Sequence, residues 1–262
     1  MSLWYQMRQH RLMADHLRAS AGSPERDRPR PEPDLSLQPE LVEVLESAAR
    51  LQNLVPDAVL VGDSAAAAYA GHRFSFDHDH VVDDLRERFD VVLEALEAEG
   101  EWVTNRARPG KVILGRIGDI EAGVRQLIRL TPLEVTELAL PSGARVRVPT
   151  PDETLRIKAF LIVKRNQVRD YLDVAALADR FGIAHAAAVL DHIDDYYSDQ
   201  HDGAGRGVAS QVIRQLANPR PADTATIKDL ARYKGLAPRW HRWSDVVAVC
   251  RLLAAAVTTG GG

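Results

Sequence analysis

A single cysteine, Cys250, excludes an internal disulfide framework and a cysteine-rich zinc site, and its apolar neighbours mark it as core packing. Long hydrophobic runs are missing too. The stretches at 65–70 and 252–257 fall far short of the ~18 to 20 apolar residues that a membrane span requires. The first residues lack a signal-peptide pattern, so the expectation is a cytoplasmic chain with no membrane partner. A net charge of −4 argues against a protein that coats nucleic acid by bulk charge. Internal repeats are absent. What remains is ordinary globular composition, 45% hydrophobic and 27% charged over 262 residues, enough for one large or two modest domains.

The charge is unevenly spread. Between Thr104 and Arg169 there are 13 basic residues against six acidic ones, a local excess of seven that the rest of the chain more than reverses. A middle third of this kind can hold a phosphate-rich partner while the remainder stays soluble.

Residues 1–38 combine a possible short helix with a Pro-, Arg- and Asp-rich stretch and are expected to form a flexible extension. Helical spacing of Leu41, Val44, Leu45, Ala48 and Leu51 opens the folded part. A buried strand is predicted at 58–61, an alanine-rich helix at 65–70, a strand at 74–82 and a helix at 85–98. Strands are predicted at 111–116 and 120–127, joined at Gly118-Asp119, and a second hairpin at 133–140 and 144–148. From Thr154 the pattern is helical, ending in a flexible tail at 259–262. The fold class is therefore α+β, with a mixed-sheet domain over 39–150 and an all-α domain over 151–258.

The segment VLVGDSAAAAYAGHRFSFDHDH, Val59 to His80, concentrates the chemistry. A strand ends at Gly62, Asp63 and Ser64 begin a helix, and Asp77 and Asp79 share one face of the next strand, about 7 Å apart. Two carboxylates so placed suit magnesium. The helix start at Ser64 offers unpaired N–H groups and a hydroxyl to a triphosphate. His78 and His80 fall on the opposite face, where packing is expected.

With these residues in place, the chain resembles the polymerase-beta-like nucleotidyltransferases. The phrases GHRFSFDHD, EAGVRQLIR, PLE, TPDETLRIKA and RNQVRDYLDVAALAD are similar to the AbiEii/MenT branch, the nucleotidyltransferase-like toxins of bacterial toxin–antitoxin systems. The resemblance implies a bilobed body, Mg2+ as cofactor, an NTP as substrate, transfer of nucleotides to a tRNA 3′ end or another RNA acceptor, and an antitoxin partner. It places Asp77 and Asp79 as metal carboxylates and Ser64, with Gly62 and Asp63, at the phosphate turn. Lys158 becomes the lysine that neutralises the triphosphate, Asp173 the carboxylate supporting it or the attacking hydroxyl, and Asp170 a neighbour on the same helical face. Arg165 and Arg169 become phosphate or RNA contacts, and Glu121 is the nearest third carboxylate.

The chain departs from the family pattern at Asp63, where glycine is usual. Facing a phosphate at ~4 Å, that carboxylate would be repelled by on the order of 4 kcal/mol at an effective dielectric of ~20. As a helix cap it would leave the site free. The first alternative keeps open a catalytically weakened relative that binds nucleotide or RNA without turnover. A metal-dependent phosphohydrolase built on His72, His78, Asp79 and His80 is a further alternative, discouraged by the strand alternation.

Overall fold

Helix α1 (Pro39–Leu54) starts with proline and an acidic first turn, and its apolar residues recur at three- and four-residue spacing, so two faces of it can be buried. This is the first element of a computed structural model that describes residues 39–260 except Glu99. The extension expected at 1–38 lies outside the described residues. After α1 come β1 (Val59–Val61), α2 (Gly62–Ala70), β2 (Asp77–Val82), α3 (Leu85–Glu97), β3 (Trp102–Arg108), β4 (Val112–Ile117) and β5 (Ile120–Gln126).

These strands form one sheet in the order β1-β2-β5-β4-β3. β2 and β5 run parallel and the other neighbours antiparallel, so the sheet is mixed. One face is covered by α1 and α3 through Leu51, Val82, Phe89, Leu96, Trp102, Ile113 and Val124. β6 (Val135–Ala139) and β7 (Arg145–Pro149) make a separate ribbon.

Helices occupy the rest: α4 (Pro151–Arg165), α5 (Val168–Phe181), α6 (Ile183–Asp191), α7 (Ile193–Tyr196), α8 (Val208–Ala217), α9 (Ala225–Lys228) and α10 (Trp243–Gly260). α4 is capped by Thr150, whose hydroxyl accepts from the Glu153 amide at 3.2 Å, with proline in its first turn. It closes at Asn166 in the left-handed conformation. The larger buried cluster joins Leu41 and Leu45 of α1, α2, the ribbon and the helices, so it runs across residue 150. Cys250 is fully buried in it, its thiol pushed up to about 12 by that burial.

The main departures from expectation have physical causes. β2 starts at Asp77 rather than 74, because Phe74 is tied by its amide to the Lys234 carbonyl at 2.7 Å. β3 has no counterpart in the sequence reading; its polar residues and a register shift between Thr104 and Arg106 blur the alternation. α10 continues to Gly260, into the expected tail.

Candidate active site

Alternation along β2 is the first determinant of the site. Asp77, Asp79 and Val81 are half-buried on one face, and His78, His80 and Val82 are buried on the other. His78 meets the Ser47 hydroxyl at 3.1 Å and His80 edge-on at 5.2 Å. Burial pushes His78 down to about 4 and His80 well below its ordinary value, so both are neutral packing groups. The phosphohydrolase constellation is therefore corrected: His78 and His80 lie across the sheet from Asp79, and the His72 ring is bound to Asp173 at 2.8 Å.

Both aspartates open into a cavity of about 490 Å3 whose wall also includes Gly62, Asp63, Arg125, Arg165 and Arg169. Its apolar end is formed by Leu133, Ile157, Leu161, Phe160 and Tyr197, the last two rings stacked with centroids 4.2 Å apart. Gly62 begins α2 at φ +78, a conformation that strains any residue with a Cβ. Gly123, opposite Asp79 on β5, makes room for the carboxylate: a Cβ there would lie 2.7 Å from Asp79 Oδ1. Cations face both aspartates, Arg125 Nε at 3.2 Å from Asp79 and Lys234 Nζ at 3.9 Å from Asp77. Glu121 is the register partner of Asp77 on β5 and is exposed.

Ser64 is placed differently from the expectation. Its hydroxyl is buried and donates to the Asp77 main-chain carbonyl at 2.6 Å, so it stitches the start of α2 to the start of β2 rather than offering itself to a phosphate.

Asp63 neither caps α2 nor stands as a bare carboxylate. No side chain caps that helix. Asp63 Oδ1 instead accepts from Lys158 Nζ at 2.7 Å and lies 3.0 Å from Arg73, while Arg169 lies 3.7 Å from Oδ2. Burial would raise this carboxyl, but Lys158 and Arg73 outweigh it and hold it well below the usual range. The repulsion argument is thereby corrected, because the charge is already matched inside the protein.

Lys158 is fully buried and bridges Asp63 to Asp173 Oδ2 at 2.6 Å. Asp173 also receives Arg73 through two guanidinium nitrogens at 2.9 and 3.0 Å, and His72. Despite full burial, Arg73 and Lys158 keep Asp173 ionised. Two buried cations thus face two carboxylates. Lys158 and Asp173 do not line the cavity, which corrects the direct triphosphate contact implied by the resemblance. Asp170, buried too, is held by Arg165 at 2.8 and 2.6 Å. Arg165 and Arg169 reach the cavity wall itself, each about a third exposed, at 32% and 33%.

Sequence reasoning missed Arg73, Phe160 and Tyr197, and carried Arg125 only as one of the basic residues between 104 and 169. Arg73 lies inside the phrase GHRFS, but its partner is 100 residues away. The phrases EAGVRQLIR and PLE acquire structural roles: Arg129 meets Glu153 at 2.7 Å, and Glu134 accepts from Arg156 at 3.1 Å and Tyr196 at 2.6 Å. Among the described residues, the one group of three acidic side chains close enough to share an ion is Asp57, Asp83 and Asp84, beyond the far end of β2, and Arg88 pairs with Asp57 and Asp84.

The chain is 34% identical over 238 residues to the heme uptake protein MmpL11 of Mycobacterium tuberculosis, covering 82% of this chain and 22% of that protein. It is 31% identical over 198 residues to the mycolic acid-containing lipids exporter MmpL11 of Mycolicibacterium smegmatis, covering 71% and 19%. The chain thus spans about a fifth of the length of the curated relatives it matches, and their names describe those whole proteins. No helix among the described residues is long and apolar enough to cross a membrane. Among solved structures, the nucleotidyltransferase toxin MenT4 of Mycobacterium tuberculosis superposes with a TM-score of 0.53 at 16% identity, over 84% of each chain, a likeness of fold. Residues 64–246 match the family described as nucleotidyl transferase AbiEii toxin, type IV toxin–antitoxin system. That span includes Asp77, Asp79 and the Lys158–Asp173 cluster, and the chain belongs to the AbiEii nucleotidyltransferase toxin family.

Proposed function

We propose that this nucleotidyltransferase moves a nucleoside monophosphate from an NTP to the 3′ hydroxyl of an RNA, with tRNA the first candidate acceptor, under the control of an antitoxin. The observation that carries the reading is one cavity in which two half-exposed carboxylates, Asp77 and Asp79, face a wall bearing Arg165 and Arg169. Carboxylates offer a metal, and guanidinium forks offer a polyphosphate, the ligands each prefers. The residues fit magnesium: the pair are oxygen donors on one strand face, and glycine at 123 leaves Asp79 its space. When bound there, the ion supplies charge neutralisation at the α-phosphate.

The chain's own residues do the rest. Arg165 and Arg169 neutralise the departing pyrophosphate, and Arg125 exchanges Asp79 for phosphate when nucleotide enters. The apolar end floored by Phe160 and Tyr197 seats the base, while Glu121, across from Asp77, takes the hydroxyl proton. Lys158 and Asp173 are positioning residues: with Arg73 they hold Asp63, and so the start of α2, against the cavity. In this reading residues 39–150 supply the carboxylates and residues 151–258 the cationic wall. Catalysis is mostly alignment and charge neutralisation. Since Asp63 is matched internally, the impaired, non-turning-over alternative loses the feature that favoured it.

Incubation of the protein with each labelled NTP, magnesium and total bacterial tRNA tests the proposal. Label should enter RNA in the wild type and not in Asp79→Ala. Equal labelling by both would overturn the assignment of the carboxylates.

A further inference from the structure

The sheet has a second face, and its register shows what that face carries. Arg116 and Glu121 lie in one row with Asp77, Leu114 and Gly123 in one row with Asp79, and Val112 and Arg125 in one row with Val81. Across the next pairing, β3 adds Val103 beside Arg116, Arg106 beside Leu114 and Arg108 beside Val112. Register partners share a face. Arg106, Arg108, Arg116 and Arg125 are therefore on the same face as the two aspartates, and all four are exposed.

The bulge in β3 produces this. Trp102 and Thr104 face the covered side, opposite Ile117 and Gly115, and unbroken alternation would send Arg106 there too. The register shift between Thr104 and Arg106 inserts Asn105 and turns Arg106 and Arg108 outward. A cavity of about 220 Å3 on this face is lined by Asn105, Arg106, Glu121 and Arg125 and reaches Asp77 and Asp79 from the β5-β4-β3 part of the sheet. Arg125 and the aspartates line both cavities. Between the arginines stand exposed Val103 and half-buried Val112 and Leu114, surfaces for ribose and base. Arg116 is partly engaged by Asp119 at 3.9 Å, and Arg125 by Asp79; among the described residues no ion pair holds Arg106 or Arg108.

We infer that this open sheet face is the docking track for the acceptor RNA, running from edge strand β3 to the aspartates, with Arg106 and Arg108 as its phosphate contacts. The inference rests on the proposed transfer to RNA and locates the second substrate, which Arg165 and Arg169, inside the nucleotide cavity, are not placed to hold. An in-line displacement needs acceptor and pyrophosphate on opposite sides of the α-phosphorus. Two cavities that share one carboxylate pair give nucleotide and acceptor separate seats beside it.

The test is the affinity of the full chain for deacylated bacterial tRNA, measured by fluorescence anisotropy between about 50 and 200 mM KCl. Arg106→Ala/Arg108→Ala should weaken binding at low salt at least tenfold and reduce the slope of log affinity against log salt by about one to two units. Arg106→Lys/Arg108→Lys should restore most of that slope. Arg145→Ala/Arg242→Ala, which removes the same charge from other surfaces, should leave it unchanged. A wild-type slope in the alanine pair, or equal flattening by the control pair, overturns the docking track. Transfer to RNA is scored separately on the wild type. If label fails to enter tRNA while the alanine pair still loses affinity, the transfer reading falls and the surface stands. If wild type transfers label but binds tRNA independently of these arginines, the surface falls and the transfer reading stands.

Discussion

Asp63→Asn is the most informative single substitution in the buried cluster. It keeps the shape of the side chain and removes its charge, leaving Lys158 and Arg73 with Asp173 alone. The site is buried: Lys158, Arg73 and Asp173 have no side-chain exposure, and Asp63, at the cavity wall, has 9%. Breaking one partner out of such a cluster costs about 3 to 5 kcal/mol, because the charge left behind stays buried without compensation. For a folded body of this size that is a fall of roughly 6 to 20 °C in melting temperature. Calorimetry at pH 7 reads it directly.

The same cluster fixes the acid limb. The folded carboxyls of Asp63 and Asp173 are held well below their unfolded value. Their contribution is therefore complete above the unfolded pKa near 4 and is lost as pH falls below it. Asp63→Asn should have a shallower acid limb than the wild type. Charge balance supplies the decisive control: Asp63→Asn/Lys158→Met removes one charge of each sign and should recover much of the loss. A cost under about 1 kcal/mol for Asp63→Asn, or strictly additive effects in the double variant, would refute the internal-compensation argument.

Three further outcomes follow from the geometry. Asp79→Ala, at a side chain 40% exposed, should abolish label transfer while moving the melting temperature by no more than about 3 °C, which a thermal scan beside the transfer assay checks. His78 should carry a second, higher-pH dependence: with its ring pushed from 6.5 down to about 4, stability is full above pH 6.5 and falls by about 3 kcal/mol by pH 4, a loss that urea titrations should find reduced in His78→Gln. Arg125→Ala frees Asp79 from a half-exposed ion pair, so manganese binding to the nucleotide-free protein, followed by calorimetry, should tighten by up to about fivefold.

Much of this architecture was legible locally. The spacing of Leu41 to Leu51 marked α1, and the alternation of FSFDHDHVV put Asp77 and Asp79 on one face and the histidines on the other. Each of these is a property of a few consecutive residues. What could not be read depends on distant partners. Lys158 lies 95 residues from Asp63, and Arg73 lies 100 from Asp173; spacing along the chain carries no trace of either meeting. β3 escaped for a different reason, since its bulge breaks the very period by which strands are recognised.

The motifs themselves mix two physical purposes. GHRFSFDHD contributes Asp77 and Asp79, half-exposed in the cavity, and also His72 and Arg73, sealed against Asp173. LRIKA and RDYLD contribute Lys158 and Asp173 to the same sealed cluster. Residue types alone made Asp77, Asp79, Lys158 and Asp173 alike candidates for metal or substrate. Burial divides them, because a fully buried ammonium clasped by two carboxylates must break both contacts before it can meet a phosphate. The catalytic task therefore falls to charges that already face the cavity, Asp77, Asp79, Arg125, Arg165 and Arg169, and the sealed set keeps the start of α2 in place beside them.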